Sequence, residues 1–394
     1  MKINTIFSFI TLAVATKVSA ECFAEKLGKP CCTETLDVVR VDENGQWGME
    51  NGQFCGLQSF NNNYDLNLER RSLNNYMNKV KIEKLCPEDL LEIKKGVNYP
   101  TVDSLTYYST TTETNRTLTV LVPPNYSPKK KYPVLYLLHG IMTDGAWMIQ
   151  DGFGTIAIPG NLAHQKKAKE MFIVLPDQYA PSPGTEVEPA LNQEFFNGYD
   201  NFINDLVNDI MPFMKKQYSI KTDRKNTAIS GYSFGGRNSL YIGITRSDLF
   251  GYVGSFSPAP GLVPGDDIFT GHFDGLYQEK ELKFKHQPYL TMLSCGTNDT
   301  VVFDFPKQYH EILKTNKQEH IWYEITGHDH MDNESFSSPY HNFLTSIFDQ
   351  VNEKPKTTTT TKKTTGVKTK ITKVVKVVVT KFIKVPAQKT KKNN

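Results

Sequence analysis

Acidic residues are missing from the end of the chain: residues 354–394 contain thirteen lysines and no Asp or Glu. Setting those lysines aside turns the formal net charge of +3 into −10 for the rest, so the basic character belongs to a tail and the remainder is acidic. A nucleic-acid partner therefore has no electrostatic footing on the folded part. Long apolar runs are missing too. Past residue 20 nothing reaches the ~18 uninterrupted apolar residues of a membrane-spanning helix, so no membrane association is expected. Cysteine is scarce, six in all, and four of them (Cys22, Cys31, Cys32, Cys55) crowd into one short stretch. That stretch has no His, and Cys31-Cys32 are adjacent rather than spaced as C-x-x-C, which disfavours zinc. Two disulfides are expected instead, with three pairings open.

What is present begins with a leader. Lys2, the apolar run Ile6 to Val14 and the small residues Val18-Ser19-Ala20 fit a signal peptide over residues 1–20, so a secreted, extracellular protein starting at Glu21 is expected. Residues 21–58 are rich in Cys, Gly and turn signals (Asp42-Glu43-Asn44-Gly45, Glu50-Asn51-Gly52) between short β-type runs, which reads as a small disulfide-stapled β module. Residues 59–91 read as a linker and lead-in with a short helix around Leu66 to Leu85. From 92 to 350, apolar runs of strand length alternate with helical stretches. The strand candidates are Leu118–Val122, Val134–Leu138, Phe172–Leu175, Thr227–Ser230, Tyr252–Phe256, Tyr289–Ser294 and Ile321–Ile325. The helical stretches are Tyr199–Tyr218, Gly235–Arg246 and Phe305–Lys317. Runs that are continuously apolar suit buried parallel strands, so this part reads as α/β with a mostly parallel sheet. The Thr/Lys-rich stretch 351–394 cannot bury enough apolar surface to fold and is expected to be disordered. Cys295, within an apolar run, is expected to be a buried free thiol, and Cys86 has no evident partner.

The strand candidate Thr227–Ser230 runs into Gly231-Tyr232-Ser233-Phe234-Gly235-Gly236 and then a helical stretch, the G-x-S-x-G elbow in its strand-turn-helix context. A serine hydroxyl needs a base, and the base needs an orienting carboxylate. Asp299 follows one strand candidate in Gly296-Thr297-Asn298-Asp299, and His328 follows another in Gly327-His328-Asp329-His330. The order Ser, Asp, His is that of α/β-hydrolases, so Ser233, Asp299 and His328 are the expected triad, with His330 a loop residue beside it. His139-Gly140-Ile141 after Val134–Leu138 suits an oxyanion turn, with the backbone N–H groups of Ile141 and Phe234 as donors. His139 is read as a structural residue under that turn. A metal site built on His328, His330 and Asp332 is the competing reading; it would leave the elbow unexplained, so no metal and no cofactor are expected.

Two resemblances follow from these residues. Cys22-Phe23-Ala24-Glu25-Lys26-Leu27-Gly28-Lys29-Pro30-Cys31-Cys32, Asp42 to Gly48 and Phe54-Cys55-Gly56 resemble the dockerin of anaerobic gut fungi, lacking the further Cys many such modules carry where Thr33-Glu34-Thr35 stands here. The triad loops, Val134 to Gly140, Gly198 to Phe202 and Asp223-Arg224 resemble the feruloyl and acetylxylan esterases related to esterase D, over about residues 95–350. The resemblance implies an α/β-hydrolase sandwich and metal-free hydrolysis of acyl groups on plant cell-wall polysaccharide, with feruloylated arabinoxylan as partner. It further implies a cellulosome scaffold protein bound by the N-terminal module. Acetylxylan esterase is the alternative activity, and a non-catalytic polysaccharide-binding protein on the same fold is a third reading. Trp147, from the loop that replaces the family's Gly-rich segment, is expected to face an aromatic acyl group. Asp42 and Trp47 are nominated as the scaffold-docking pair.

Overall fold

The structure, a computed structural model, describes residues 23–32, 40–42, 45–50, 52–56, 69–71, 76–150 and 152–348. The leader and the Thr/Lys tail lie outside them. No helix among the described residues is long and apolar enough to cross a membrane.

The N-terminal module has a 3-10 turn (Phe23–Leu27) and three antiparallel strands, β1 (Arg40–Asp42), β2 (Gly45–Glu50) and β3 (Gln53–Gly56). Cys32 and Cys55 form one disulfide, and Cys31 is disulfide-bonded as well. Cys32, Glu50 and Cys55 form the one cluster of metal-ligand type among the described residues, and both of its sulfurs are consumed in that bond. Trp47 is 8 % exposed and packs with Ala24 and Cys31. This corrects its nomination as a docking anchor: among the described residues of the module Trp47 is the one large side chain that is buried, with Leu27, Met49 and Phe54 exposed, so the indole is spent on folding. The side chain of Asp42 lies outside what is described. Trp47→Ala is expected to destabilise the module by about 3–5 kcal/mol, the usual cost of truncating a buried large aromatic. Faster hydrogen exchange at the β2–β3 amides with unchanged turnover of a small ester would show it; unchanged protection would return Trp47 to the surface.

The main sheet has nine strands in the order β4-β14-β13-β10-β9-β7-β8-β6-β5. They are β4 (Glu69–Arg71), β5 (Thr101–Ser109), β6 (Thr114–Val122), β7 (Val134–Leu138), β8 (Phe172–Pro176), β9 (Thr227–Tyr232), β10 (Tyr252–Phe256), β13 (Leu290–Gly296) and β14 (His320–Ile325). The six from β14 across to β8 are parallel; at the margins β4 pairs antiparallel with β14, β6 antiparallel with β8, and β5 antiparallel with β6. A separate hairpin pairs β11 (Gly265–Asp267) with β12 (Gly271–Phe273). The helices are α1 (Ala157–His164), α2 (Gln193–Asp200), α3 (Phe202–Asp205), α4 (Met211–Gln217), α5 (Phe234–Thr245), α6 (Phe305–Thr315) and α7 (Asn333–Leu344), with a π turn (Leu206–Ile210) joining α3 to α4.

All five residues of β7 are buried because helices cover both faces of the sheet. The period of two is visible within it: Val134, Tyr136 and Leu138 join a core shared with α3 to α6, while Leu135 and Leu137 join one shared with α1 and α7. Each expected strand is present within a few residues of its expected bounds. Residues 59–91 are not simply a linker, however. β4 extends the sheet beside β14, and Met77, Val80, Cys86 and Leu90 are buried in the α1/α7 core. The expected helix there is replaced by β4 and a 3-10 turn (Met77–Lys79) among the described residues.

Cys86 and Cys295 are free and buried. Burial, helped by the nearby carboxylates of Asp89 and Glu83, pushes the Cys86 thiol up to about 12, and burial pushes Cys295 up as well. Because the thiolate is the reactive form, neither should react with iodoacetamide at pH 8 until the protein unfolds. Rapid labelling of the native protein would contradict this placement.

Candidate active site

Ser233 sits between β9 and α5 at φ 58° and ψ −123°, a strained conformation for a residue with a Cβ. Neighbouring backbone holds it there. Its N–H donates to the Phe256 carbonyl (2.9 Å), and its carbonyl accepts from Arg237 N–H (3.0 Å) and Ala259 N–H (3.1 Å). The flanking glycines are needed for close approach. A Cβ on Gly231 would lie 2.4 Å from the Gly235 carbonyl oxygen, and one on Gly235 would lie 2.2 Å from that of Leu138. The turn after β7 comes close to the serine, since a Cβ on Gly140 would lie 3.7 Å from that of Ser233.

Asp299, from the loop after β13, has a side chain only 1 % exposed. One carboxylate oxygen accepts from Val301 N–H (3.1 Å) and Val302 N–H (3.0 Å); the other lies 2.7 Å from Nδ1 of His330. Burial pushes this carboxyl up, but the hydrogen bond and charge of His330, with the Val302 and Val301 amides, outweigh it and hold Asp299 below the usual carboxylate range. With Nδ1–H donating to the carboxylate, Nε2 of His330 is left as the proton acceptor. The ring packs on Tyr232 (centroids 5.0 Å apart), the residue before Ser233, and the Tyr232 hydroxyl donates to the His330 carbonyl.

This geometry corrects the choice of His328. Its Nδ1 lies 3.4 Å from Asp332 and 3.8 Å from Glu334, away from Asp299. The reason is local. The β14 loop is laced to the β13 loop through Gly327 N–H to Thr297 Oγ1 (2.8 Å) and Asn298 N–H to the His328 carbonyl (3.1 Å). That carbonyl packs so closely over Gly296 that a Cβ there would meet it at 2.2 Å. His328 thus serves the loop with its backbone, and the chain needs two more residues to bring an imidazole to Asp299.

Neither Ile141 nor Phe234 gives its backbone N–H to another group among the described residues. The turn carrying Ile141 rests on a buried polar chain. Gln178 N–H donates to Nε2 of His139 (3.0 Å), which places the His139 proton on Nδ1, 2.6 Å from the Gly140 carbonyl and 3.1 Å from Thr143 Oγ1. Thr143 also donates to the Gly140 carbonyl (3.0 Å), and Met142 N–H donates to the Tyr199 hydroxyl (2.8 Å). Asn238 on α5 donates to Gln178 Oε1 and to the Tyr199 carbonyl, both at 3.0 Å. Thr143, Gln178 and Asn238 carried no motif, and Tyr199 stood in the stretch Gly198 to Phe202 with no role attached to it; their link is three-dimensional. The Phe234 ring is 2 % exposed, lodged against Phe196 and Tyr199, so only its backbone faces the site. Trp147 is half-buried with its ring on Phe153 (4.5 Å), which in turn meets Phe336.

Comparison with known proteins adds the following. The Esterase family model matches residues 109–341, and a model described as a cellulose or protein binding domain matches residues 21–57. The solved structure of a CE1 ferulic acid esterase from Anaeromyces mucronatus, in complex with ferulic acid, is 52 % identical with a TM-score of 0.67, covering 68 % of this chain and 98 % of that one. Feruloyl esterase B of Piromyces equi is 40 % identical over 70 residues, 17 % of this chain and 13 % of that protein. An endo-1,4-beta-xylanase/feruloyl esterase of Xylanibacter ruminicola is 25 % identical over 285 residues, 66 % of this chain and 35 % of that protein. The chain thus spans well under two thirds of the length of these two curated relatives.

Proposed function

Because the chain belongs to the Esterase family, we propose that it hydrolyses the esters joining hydroxycinnamic acids, such as ferulate and p-coumarate, to plant cell-wall hemicellulose. The observation that carries the reading is the 2.7 Å contact of buried Asp299 with His330, beside the strained elbow of Ser233. In this reading Ser233 Oγ attacks the ester carbonyl and His330 Nε2 takes its proton. The N–H groups of Ile141 and Phe234 receive the oxyanion, and His330 returns the proton to the departing sugar hydroxyl. Water then repeats the sequence on the acyl-enzyme and frees the acid. Asp299 holds the tautomer and stabilises the imidazolium.

An aromatic acid is supported by the apolar residues left exposed within a few positions of the triad loops. Val301 and Phe303 follow Asp299, Met331 follows His330, and Phe269 of the β11–β12 hairpin stacks on Phe303 (6.2 Å, 24°). These suit a planar ring better than the half-buried Trp147 does. Parallel assays on methyl ferulate, methyl p-coumarate and acetylated xylan test the reading. Release of hydroxycinnamate at the higher kcat/KM is expected. Acetate release alone would make the protein an acetylxylan esterase, and no release from any substrate would leave a polysaccharide-binding protein on a hydrolase fold.

The same proposal has the protein secreted and joined through residues 21–57 to a cellulosome scaffold protein. With Trp47 internal, the docking face passes to the exposed cross-strand pair Met49 and Phe54. Met49→Asp with Phe54→Asp should abolish pull-down of the scaffold while leaving ester turnover intact; retained pull-down would move docking elsewhere.

A further inference from the structure

The loop after β14 has to deliver a general base with little support of its own. From Thr326 to Glu334, His330 is the one buried residue, and neither its N–H nor its carbonyl takes part in a backbone hydrogen bond among the described residues. Asp299 fixes Nδ1 at 2.7 Å, but the outer torsion of a histidine is broad, so one hydrogen bond leaves the imidazole plane free to turn about it. Tyr232 supplies what is missing. Its hydroxyl donates to the His330 carbonyl, and its ring lies against the imidazole with centroids 5.0 Å and planes 31° apart, nearer face-to-face than edge-on. Burial, and then the Asp299 carboxylate, push that hydroxyl well above its ordinary range, which keeps it protonated and a donor. The Tyr232 ring is itself held: Phe336 of α7 meets it edge-on (5.9 Å, 78°), and Phe336 stacks on Tyr340 (5.1 Å, 18°).

Tyr232 is also the last residue of β9, paired with Phe256 of β10, and Ser233 follows it directly. The nucleophile and the surface that carries its base are therefore neighbours at one strand end, and their approach is set across a single peptide rather than between two separate loops. We infer that Tyr232 is the positioning residue of the base: its hydroxyl pegs the His330 backbone, and its ring fixes the imidazole plane and steadies the imidazolium that forms when Ser233 gives up its proton. The face of an aromatic ring attracts a cation more than a neutral group. The contact thus strengthens as His330 becomes charged, and it acts on kcat rather than on KM. The variable position before the serine in G-x-S-x-G has, in this chain, a duty that the motif leaves blank. This inference rests on the reading of His330 as the base.

The test is steady-state kinetics of the full chain on methyl ferulate and on 4-nitrophenyl acetate, an activated ester that makes little demand on the acyl pocket. Tyr232→Phe, Tyr232→Leu and His330→Ala are compared with the unaltered protein, alongside thermal unfolding and the downfield proton NMR signal of the His330–Asp299 hydrogen bond. Tyr232→Phe, which loses only the peg, should lower kcat about tenfold on both esters, the worth of one hydrogen bond, and broaden the NMR signal. Tyr232→Leu, which loses the ring as well, should lower kcat about a hundredfold, as a misplaced catalytic group does. KM should stay within about twofold in both. A Tyr232→Phe protein with unchanged kcat and a sharp signal, a lowered thermal transition with kcat intact, or a rise in KM alone would each overturn the inference. The Phe variant keeps the packing, so its result stands even where Tyr232→Leu does not fold. Full activity of His330→Ala would overturn both this inference and the reading beneath it; an unaffected Tyr232→Phe beside an inactive His330→Ala would overturn this inference alone.

Discussion

His330→Ala is expected to lower kcat on methyl ferulate by roughly three orders of magnitude or more, whereas His328→Ala should leave it within a few-fold, a contrast set by which imidazole the buried carboxylate holds. Ser233→Ala should cost as much as His330→Ala, and the double variant little more, because residues that act as a unit do not contribute additively. Asp299→Asn should fall by about four orders of magnitude, since an amide in place of the carboxylate can present its NH₂ to Nδ1 and stabilise the wrong tautomer. Each variant should keep its thermal transition within a few degrees. If His328→Ala proved as damaging as His330→Ala in a folded protein, the assignment from geometry would be wrong.

The second large effect is expected at the oxyanion turn. The carbonyl of Gly140 and the N–H of Ile141 belong to one planar trans peptide, so they point in opposite directions. His139 and Thr143 hold that carbonyl from below, which turns the Ile141 N–H outward on the side where Gly140 approaches Ser233. Thr143→Val should lower kcat by about tenfold and His139→Phe by about a hundredfold, approaching the cost of losing one oxyanion donor. KM should change little, because the donor acts on charge that exists only in the transition state. Thr143→Ser keeps the hydroxyl and should restore near-normal turnover, so a Ser variant as slow as the Val variant would refute the peptide argument. The Thr143 pair also decides the matter if His139→Phe fails to fold.

The parallel strands and the serine elbow were legible in the sequence because each is a local pattern: a strand-length run that is mostly apolar, or glycines bracketing a serine. The choice between His328 and His330 was not, since both follow the same strand and only the lacing of two loops decides which imidazole reaches Asp299. Strand β5 escaped because its Thr- and Ser-rich sequence buries little until its last three residues, as a marginal strand does. Helix α7 escaped for a different reason. Its sequence, Asn-Glu-Ser-Phe-Ser-Ser-Pro-Tyr-His-Asn-Phe-Leu, looks like a polar loop, yet Ser335 to Leu344 are all buried. Ser338 accepts from Cys86 N–H (3.0 Å), and Asn342 bonds both the N–H and the carbonyl of Glu83 (2.9 Å each). Polar groups satisfied by a distant segment are invisible to any reading of periodicity.

That clasp between α7 and residues 83–86 bears on how such enzymes can be recombined. A chain cut to start at residue 92, or at residue 109 where the family match begins, would bare the hydroxyl of Ser338 and the amide of Asn342 in an apolar wall and strip Met77, Val80, Cys86 and Leu90 from the core. The transferable catalytic unit therefore begins upstream of residue 76. Grafting it behind a different docking module, or exchanging dockerins between partner enzymes, should yield soluble and active protein only when the junction falls on the module's side of that segment.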